Sequence, residues 1–260
     1  MCGIFGISMI NLKRGKLSTK NVEFVKQLTK DLLIESESRG RDASGVCVTT
    51  DKEVNLYKHN CKGSNLVNTD KLNRVLDIGD DFVSVIGHTR AKTQGSERNN
   101  YNNHPIKYGN IVGVHNGIIS NDAELFRRMD IRRIGQVDSE IIFALIDYYR
   151  RKGCSLTEAS GKAASKLTGS FAHSFIDLNK PKSITISVGK TGPAVKIAVF
   201  SNENFMAFAS TEDILSRAIN KAIKKSSVTS LNTTSEVSVI QNHTYSFNTI
   251  DGSSVYRTHM

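Results

Sequence analysis

Eight short apolar or alternating runs recur along the chain, at residues 2–8, 45–50, 83–87, 111–115, 172–177, 183–188, 195–200 and 205–209. This recurrence constrains the fold more than any other feature, because each run has the length and patterning of a strand. Between them lie stretches with helical spacing. Residues 19–36 place Val22, Phe24, Val25, Leu28, Leu32 and Leu33 on one face, and 138–151 do the same with Ile141, Ile142, Leu145, Ile146 and Tyr149. Shorter helices are predicted over 121–129, 155–167 and 211–221. Ser18 or Thr19 precedes the first helix, and Asp138 with Glu140 opens the long one, as helix starts require. The helices separate groups of strands without strict strand–helix–strand alternation, which predicts a layered α+β protein over a doubly wound parallel sheet.

No repeat of 20 to 50 residues is present, and three prolines among 260 residues mark no linker, so one domain is expected. From the K-A-I-K-K-S-S stretch onward the chain turns rich in Ser, Thr and Asn. There it either adds two terminal strands, near 236–240 and 244–247, or trails as a mobile tail. No apolar run approaches the roughly 18 residues of a membrane span. Lys13, Arg14 and Lys16 follow an apolar stretch, the reverse of a signal peptide, and a cytoplasmic location is expected. Cys2, Cys47, Cys61 and Cys154 are scattered without a C-x-x-C pair, which suggests neither a disulfide framework nor a metal site. The formal charge of +10 is compatible with an anionic partner. Because the basic residues are dispersed and aromatics make up 7%, it reads as solubility, with direct nucleic-acid binding disfavoured but left open.

Five stretches carry residues suited to chemistry. In M-C-G-I-F-G, removal of Met1 would place Cys2 at the terminus. There an amine of pKa about 8 would serve as general base beside its own thiol nucleophile; buried packing is the alternative. R-G-R-D-A-S-G puts Arg39, able to make a two-pronged carboxylate contact, beside Gly40 in what is otherwise a charged turn. G-H-T-R-A-K-T-Q-G projects Arg90, Thr93 and Gln94 from a strand end, with His88 either a ligand or a satisfied core residue. V-G-V-H-N-G-I-I-S-N holds Asn116-Gly117, which signals a two-residue hairpin turn; the helix entry that follows leaves little room for a returning strand. An amide side chain beside a glycine N–H also suits an oxyanion hole. In G-Q-V-D-S-E, Asp138 reads as a helix cap or as the partner of an ammonium group. V-G-K-T-G at 188–192 lacks the earlier glycine of a phosphate loop and is rejected.

Taken in order, C-G-I-F-G, R-G-x-D-x-x-G, G-H-T-R-x-x-T-x-G, H-N-G and D-S-E resemble the class II glutamine amidotransferases, whose glutaminase domain is an N-terminal nucleophile hydrolase. The resemblance runs from Cys2 to about Glu212. It implies a four-layer αββα sandwich of two antiparallel sheets between helices, with a glutaminase domain over 1–215 and an extension over 216–260. It implies Cys2 as nucleophile with its α-amine as base, and Asn116 and Gly117 as oxyanion donors. Arg90 and Thr93 would hold the glutamine α-carboxylate, Asp138 its α-amino group, and Arg39 with Gly40 would line the nucleophile's end of the pocket. No cofactor or metal is implied. Two positions depart from the common family string: Ala91 replaces an aromatic residue and Gln94 a histidine, which bears on pocket shape and loop closure. The expected activity is release of ammonia from L-glutamine for a separate synthase or nucleotide-modifying partner. A glutamine-binding regulatory module without turnover, or an amide hydrolase of the same fold with another substrate, are the alternatives.

Overall fold

The computed structural model describes residues 1–228, 231 and 233–258. In chain order its elements are β1 (Gly3–Met9), α1 (Thr19–Glu35), β2 (Ala43–Thr50), β3 (Val54–His59), α2 (Gly63–Leu66), α3 (Asp70–Val75), β4 (Phe82–Arg90), β5 (Ile106–Tyr108), β6 (Ile111–Ile119), α4 (Asp122–Arg128), α5 (Ser139–Arg151), α6 (Leu156–Ala164), β7 (Gly169–Asp177), β8 (Lys180–Val188), β9 (Val195–Phe200), β10 (Phe205–Ala209), α7 (Glu212–Lys225), β11 (Ser235–Val239), β12 (His243–Asn248) and β13 (Ser254–Thr258). One sheet runs β11-β9-β10-β1-β4-β2-β3 and the other β13-β12-β8-β7-β6-β5. Their pairings are antiparallel throughout.

Strand periodicity builds the layers. Along β1, Phe5, Ile7 and Met9 face a core shared with α1 and α7, while Ile4 points to the opposite side, into the seam between the sheets. In the second sheet, Phe171 and Phe175 of β7 join α5 and α6, and Ala172 and Ile176 join the seam. Three apolar clusters therefore separate four layers, helices outside and sheets within, the αββα sandwich that the family resemblance implies. Strands buried on both faces explain why β1, β2 and β4 read as nearly continuous apolar runs rather than clean alternations.

Local signals set the helix ends. The Ser18 hydroxyl accepts from Asn21 N at 3.2 Å to open α1, and Ser155 with Glu158 forms a reciprocal capping box on α6. The C-terminal segment belongs to both sheets: β11 pairs with β9, and β12 pairs with β8 and β13. Residue 215, the expected end of the glutaminase domain, falls inside α7. Among the described residues no helix is long and apolar enough to cross a membrane.

Candidate active site

The site lies where β1, β4 and β6 end near the first turn of α5. Gly3 pairs with Thr89, which sets Cys2 beside Arg90, and Ala43 of β2 pairs with Arg90 on the other side. β6 contacts both β1 and β4 across the seam between the sheets. Cys2 is half-buried, and its Sγ lies 3.5 Å from Ala91 O and 3.4 Å from Ala91 N. Burial pushes the thiol above its ordinary value, opposed by the Ala91 N–H, the chain's amino terminus and Arg90. Met1 is exposed beyond it.

Arg39 follows the short turn Ser36–Ser38 and donates from Nε to Cys2 O at 2.7 Å, fixing the backbone of the residue that carries the thiol. Thr89 Oγ1 donates to Ser36 O at 2.7 Å and ties the same turn to β4. Gly40 is dictated by close approach: a Cβ there would lie 2.3 Å from Ala91 N and from Arg90 C. Arg39 and Gly40 thus pack around Cys2 and Ala91, beyond the surface turn that local sequence suggests.

Arg90 is 3% exposed. Its Nη1 donates to Asn103 Oδ1 at 2.9 Å, and its Nη2 donates to Gly95 O at 2.8 Å and to Gln94 O. All three acceptors are neutral, and among the described residues no carboxylate comes within 4.0 Å of this guanidinium. Asp42, Glu97 and Asp138 act on it only from farther away, so the buried cation has no anion in contact and can accept one that arrives with a ligand. Thr93, three residues on, is exposed in the bend that follows β4.

Asn116 and Gly117 lie inside β6, opposite Ala172 and Phe171 of β7. The hairpin turn suggested by this dipeptide does not form there, because β6 continues to Ile119 and the chain then enters α4, as the following residues indicated. Gly117 takes φ 142°, and a Cβ would lie 1.9 Å from Ser170 O. The Asn116 amide is buried, with neither its Oδ1 nor its Nδ2 hydrogen-bonded among the described residues. Both atoms are open to a partner. Asp138 caps α5 through Ser139 N at 2.9 Å and accepts from Ile119 N at 2.7 Å. A carboxylate offers about four acceptor sites, so both readings of Asp138 fit: it caps and keeps capacity for an ammonium group. The charges of Arg90 and Asp138 both act on Cys2, which brings the three into one field.

Sequence reasoning missed a second group behind these residues. His88 stacks on His104 at 4.1 Å, its Nε2 meets His115 O at 2.9 Å, and His115 Nδ1 meets Ser139 Oγ at 2.7 Å. Burial keeps all three rings neutral, pushing His88 down to about 3. They join β4, β6 and the start of α5, the three elements that carry Arg90, Asn116 and Asp138. Among the described residues no cluster of His, Cys, Asp and Glu could hold a metal. Of this group the sequence singled out His88 alone, as a ligand or a satisfied core residue; the polar stretch N-N-Y-N-N-H-P at 99–105 supplies Asn103 and His104.

The two departures from the family string fall where main-chain atoms act. Ala91 meets the thiol through its N–H and carbonyl, and Gln94 meets Arg90 through its carbonyl, so neither contact depends on the replaced side chain.

A family model described as a glutamine amidotransferase domain matches residues 88–217. Over 191 residues, 68% of this chain, it is 32% identical to glutamine–fructose-6-phosphate aminotransferase (isomerizing) of Vibrio vulnificus, and over 197 residues, 74% of the chain, 32% identical to that of Staphylococcus epidermidis. The matches span 29% and 30% of those relatives' own length. Among solved structures, glutamine phosphoribosylpyrophosphate amidotransferase from B. subtilis superposes with TM-score 0.68 at 18% identity, covering 100% of this chain and 49% of that one. A glutamine aminotransferase class-II domain protein from Silicibacter pomeroyi superposes with TM-score 0.57 at 12% identity, covering 99% of each chain. At such identities the structural likeness speaks for the fold, while the family match rests on the sequence. The chain belongs to the glutamine amidotransferase family, of the class II kind, and its two stacked sheets between helices are the N-terminal nucleophile hydrolase fold.

Proposed function

We propose that the chain hydrolyses the side-chain amide of L-glutamine to glutamate and ammonia, with Cys2 as nucleophile once Met1 is removed. The observation that carries this reading is the buried Arg90 guanidinium, held beside Cys2 by neutral oxygens alone. Glutamine is a zwitterion: its α-carboxylate completes Arg90, its α-ammonium meets Asp138, and its γ-amide is left facing the thiol. Thr93, in the exposed bend, takes part in the carboxylate contact when the loop closes over the substrate.

The freed α-amine accepts the thiol proton, and the thiolate attacks the γ-carbonyl carbon. Asn116 and the Gly117 N–H receive the oxyanion of the tetrahedral intermediate; a donor of this kind contributes roughly 3–4 kcal/mol to the transition state. Collapse releases ammonia, carrying the proton returned by the amine, and leaves a γ-glutamyl thioester on Cys2. Water, deprotonated by the same amine, attacks the thioester and frees glutamate. The ammonia serves an acceptor reaction, carried by a synthase domain or a partner. The names of the Vibrio and Staphylococcus relatives, which aminate fructose 6-phosphate, support the class of reaction.

Glutamate release from glutamine tests the reading. The chain lacking Met1 is expected to turn glutamine over and Cys2→Ala to lose that activity by at least about 1,000-fold. Full activity in Cys2→Ala contradicts the proposal, and glutamine binding without glutamate release would favour a regulatory module.

A further inference from the structure

We propose that Lys58 is a positioning residue for the carboxylate clamp: from β3 it holds the 94–105 loop in the shape that aims Arg90. The inference deepens the glutaminase reading and rests on it.

Lys58 sits on the edge strand of the first sheet, where a lysine ordinarily extends into water. Here its Nζ turns inward and donates to Asn103 O at 2.6 Å and Pro105 O at 2.9 Å, and its own carbonyl accepts from Asn100 Nδ2 at 3.2 Å. Among the described residues no carboxylate lies within 4.0 Å of the ammonium. The cation is spent on the backbone on either side of His104. Burial pushes it down to about 8, a cost that two charge-assisted bonds offset.

Asn103 passes this grip to the site. Its Oδ1 receives Arg90 Nη1 at 2.9 Å, while its Nδ2 donates to Glu97 O at 2.7 Å and Asn100 Oδ1 at 3.1 Å. The loop folded around Asn103 also supplies Gln94 O and Gly95 O, the other two acceptors of the guanidinium. Without Lys58 the carbonyls of Asn103 and Pro105 lose this donor; Asn102 still ties the loop to Gln136, but the stretch around Asn103 can shift the acceptors of Arg90. Arg90 keeps its charge but loses its direction. A bidentate contact with a carboxylate is sensitive to direction, whereas the thiol and the oxyanion donors lie on other strands.

The test compares L-glutamine with L-glutamine α-amide, which keeps the scissile γ-amide but has no α-carboxylate, in the full chain lacking Met1. The ratio of kcat/KM values on the two substrates does not depend on how much of a preparation is folded. Lys58→Met is expected to reduce the preference for glutamine about tenfold, mainly through a higher KM for glutamine, and Lys58→Arg to restore most of it. If Lys58→Met does not fold, Lys58→Gln, which keeps one donor group, is expected to show the same loss at roughly half the size on a logarithmic scale. An unchanged preference in Lys58→Met, or in Lys58→Gln where that is the variant measured, overturns the inference alone and marks Lys58 as a structural residue. A native chain that releases no glutamate overturns the glutaminase reading and the clamp with it.

Discussion

Two arginines in this molecule are held in opposite ways. Arg150, in the last turn of α5, donates from Nε to Asp177 Oδ2 at 2.7 Å and from Nη1 to Cys154 O, and Asp177 is buried at the end of β7 with Asn179 N on its other oxygen at 2.9 Å. That pair is closed: cation, anion and surrounding donors satisfy one another. Arg90 is more deeply buried, yet three neutral oxygens are all that hold it. The fold places a carboxylate in contact with Arg150, whereas Asp42, Glu97 and Asp138 act on Arg90 only from beyond 4.0 Å. A structural arginine brings its partner with it, whereas a binding arginine leaves the partner's place to the ligand.

Paired substitutions sharpen this contrast. Arg90→Ala is expected to lower kcat/KM on glutamine by on the order of 10²–10³-fold. It should cost less stability than Arg150→Ala, since its former acceptors are neutral and two of them, Gln94 O and Gly95 O, lie in the partly exposed bend after β4, leaving only Asn103 Oδ1 buried without its donor. Arg150→Ala is expected to do the reverse, leaving kinetics near native and costing roughly 3 kcal/mol in denaturant unfolding, because Asp177 stays buried without its cation. Equal effects of the two substitutions on activity, or a larger stability loss for Arg90→Ala, would break the distinction.

A smaller effect concerns the histidines behind Arg90. His88 faces His104, His115, Arg90 and Lys58, and stays neutral in the fold down to about pH 3, against an ordinary value of 6.5. Below 6.5 the unfolded chain therefore binds more protons than the folded one, so stability falls as pH drops through 6.5 and continues to fall until about 3. Between pH 7.5 and 6 the share of His88 is about 0.8 kcal/mol, readable as a drop in the urea midpoint that His88→Gln diminishes. A midpoint that rises on acidification over this range would show the rings charged in the fold and the cluster wrongly described.

Much of the fold was legible because burial leaves a periodic record. The apolar stripes of α1 and α5 and the runs of β9 and β10 mark elements that face a core. β3, β5 and β13 left no such record. β3 is a half-exposed edge strand, β5 is three residues long, and every residue of β13 is exposed. The short helices α2 and α3 bury only Gly63, Leu66 and Leu72 and fell below any periodic signal for the same reason. Of the residues proposed for the site, Cys2, Arg90, Asn116 and Asp138 could be singled out because each sits in a compact local string. Asn103, His104 and Lys58 were not, since their roles come from contacts made across tens of residues: Lys58 reaches Asn103 over a separation of 45 positions. Asn116-Gly117 was legible only through its neighbours, since the helix entry after it left little room for a returning strand. The dipeptide suits a hairpin turn, but pairing with β7 carries the strand straight through it.

The central claim is that Cys2, freed of Met1, attacks the side-chain amide carbonyl carbon of glutamine. The most direct measurement is peptide mass spectrometry after incubation with a γ-diazoketone analogue of glutamine, an electrophile that alkylates the attacking atom. The account predicts a single adduct on an N-terminal peptide that begins at Cys2, formed more slowly when glutamine is present. An adduct on Cys47, Cys61 or Cys154 with Cys2 unmodified, or labelling of chains that still carry Met1, would contradict it.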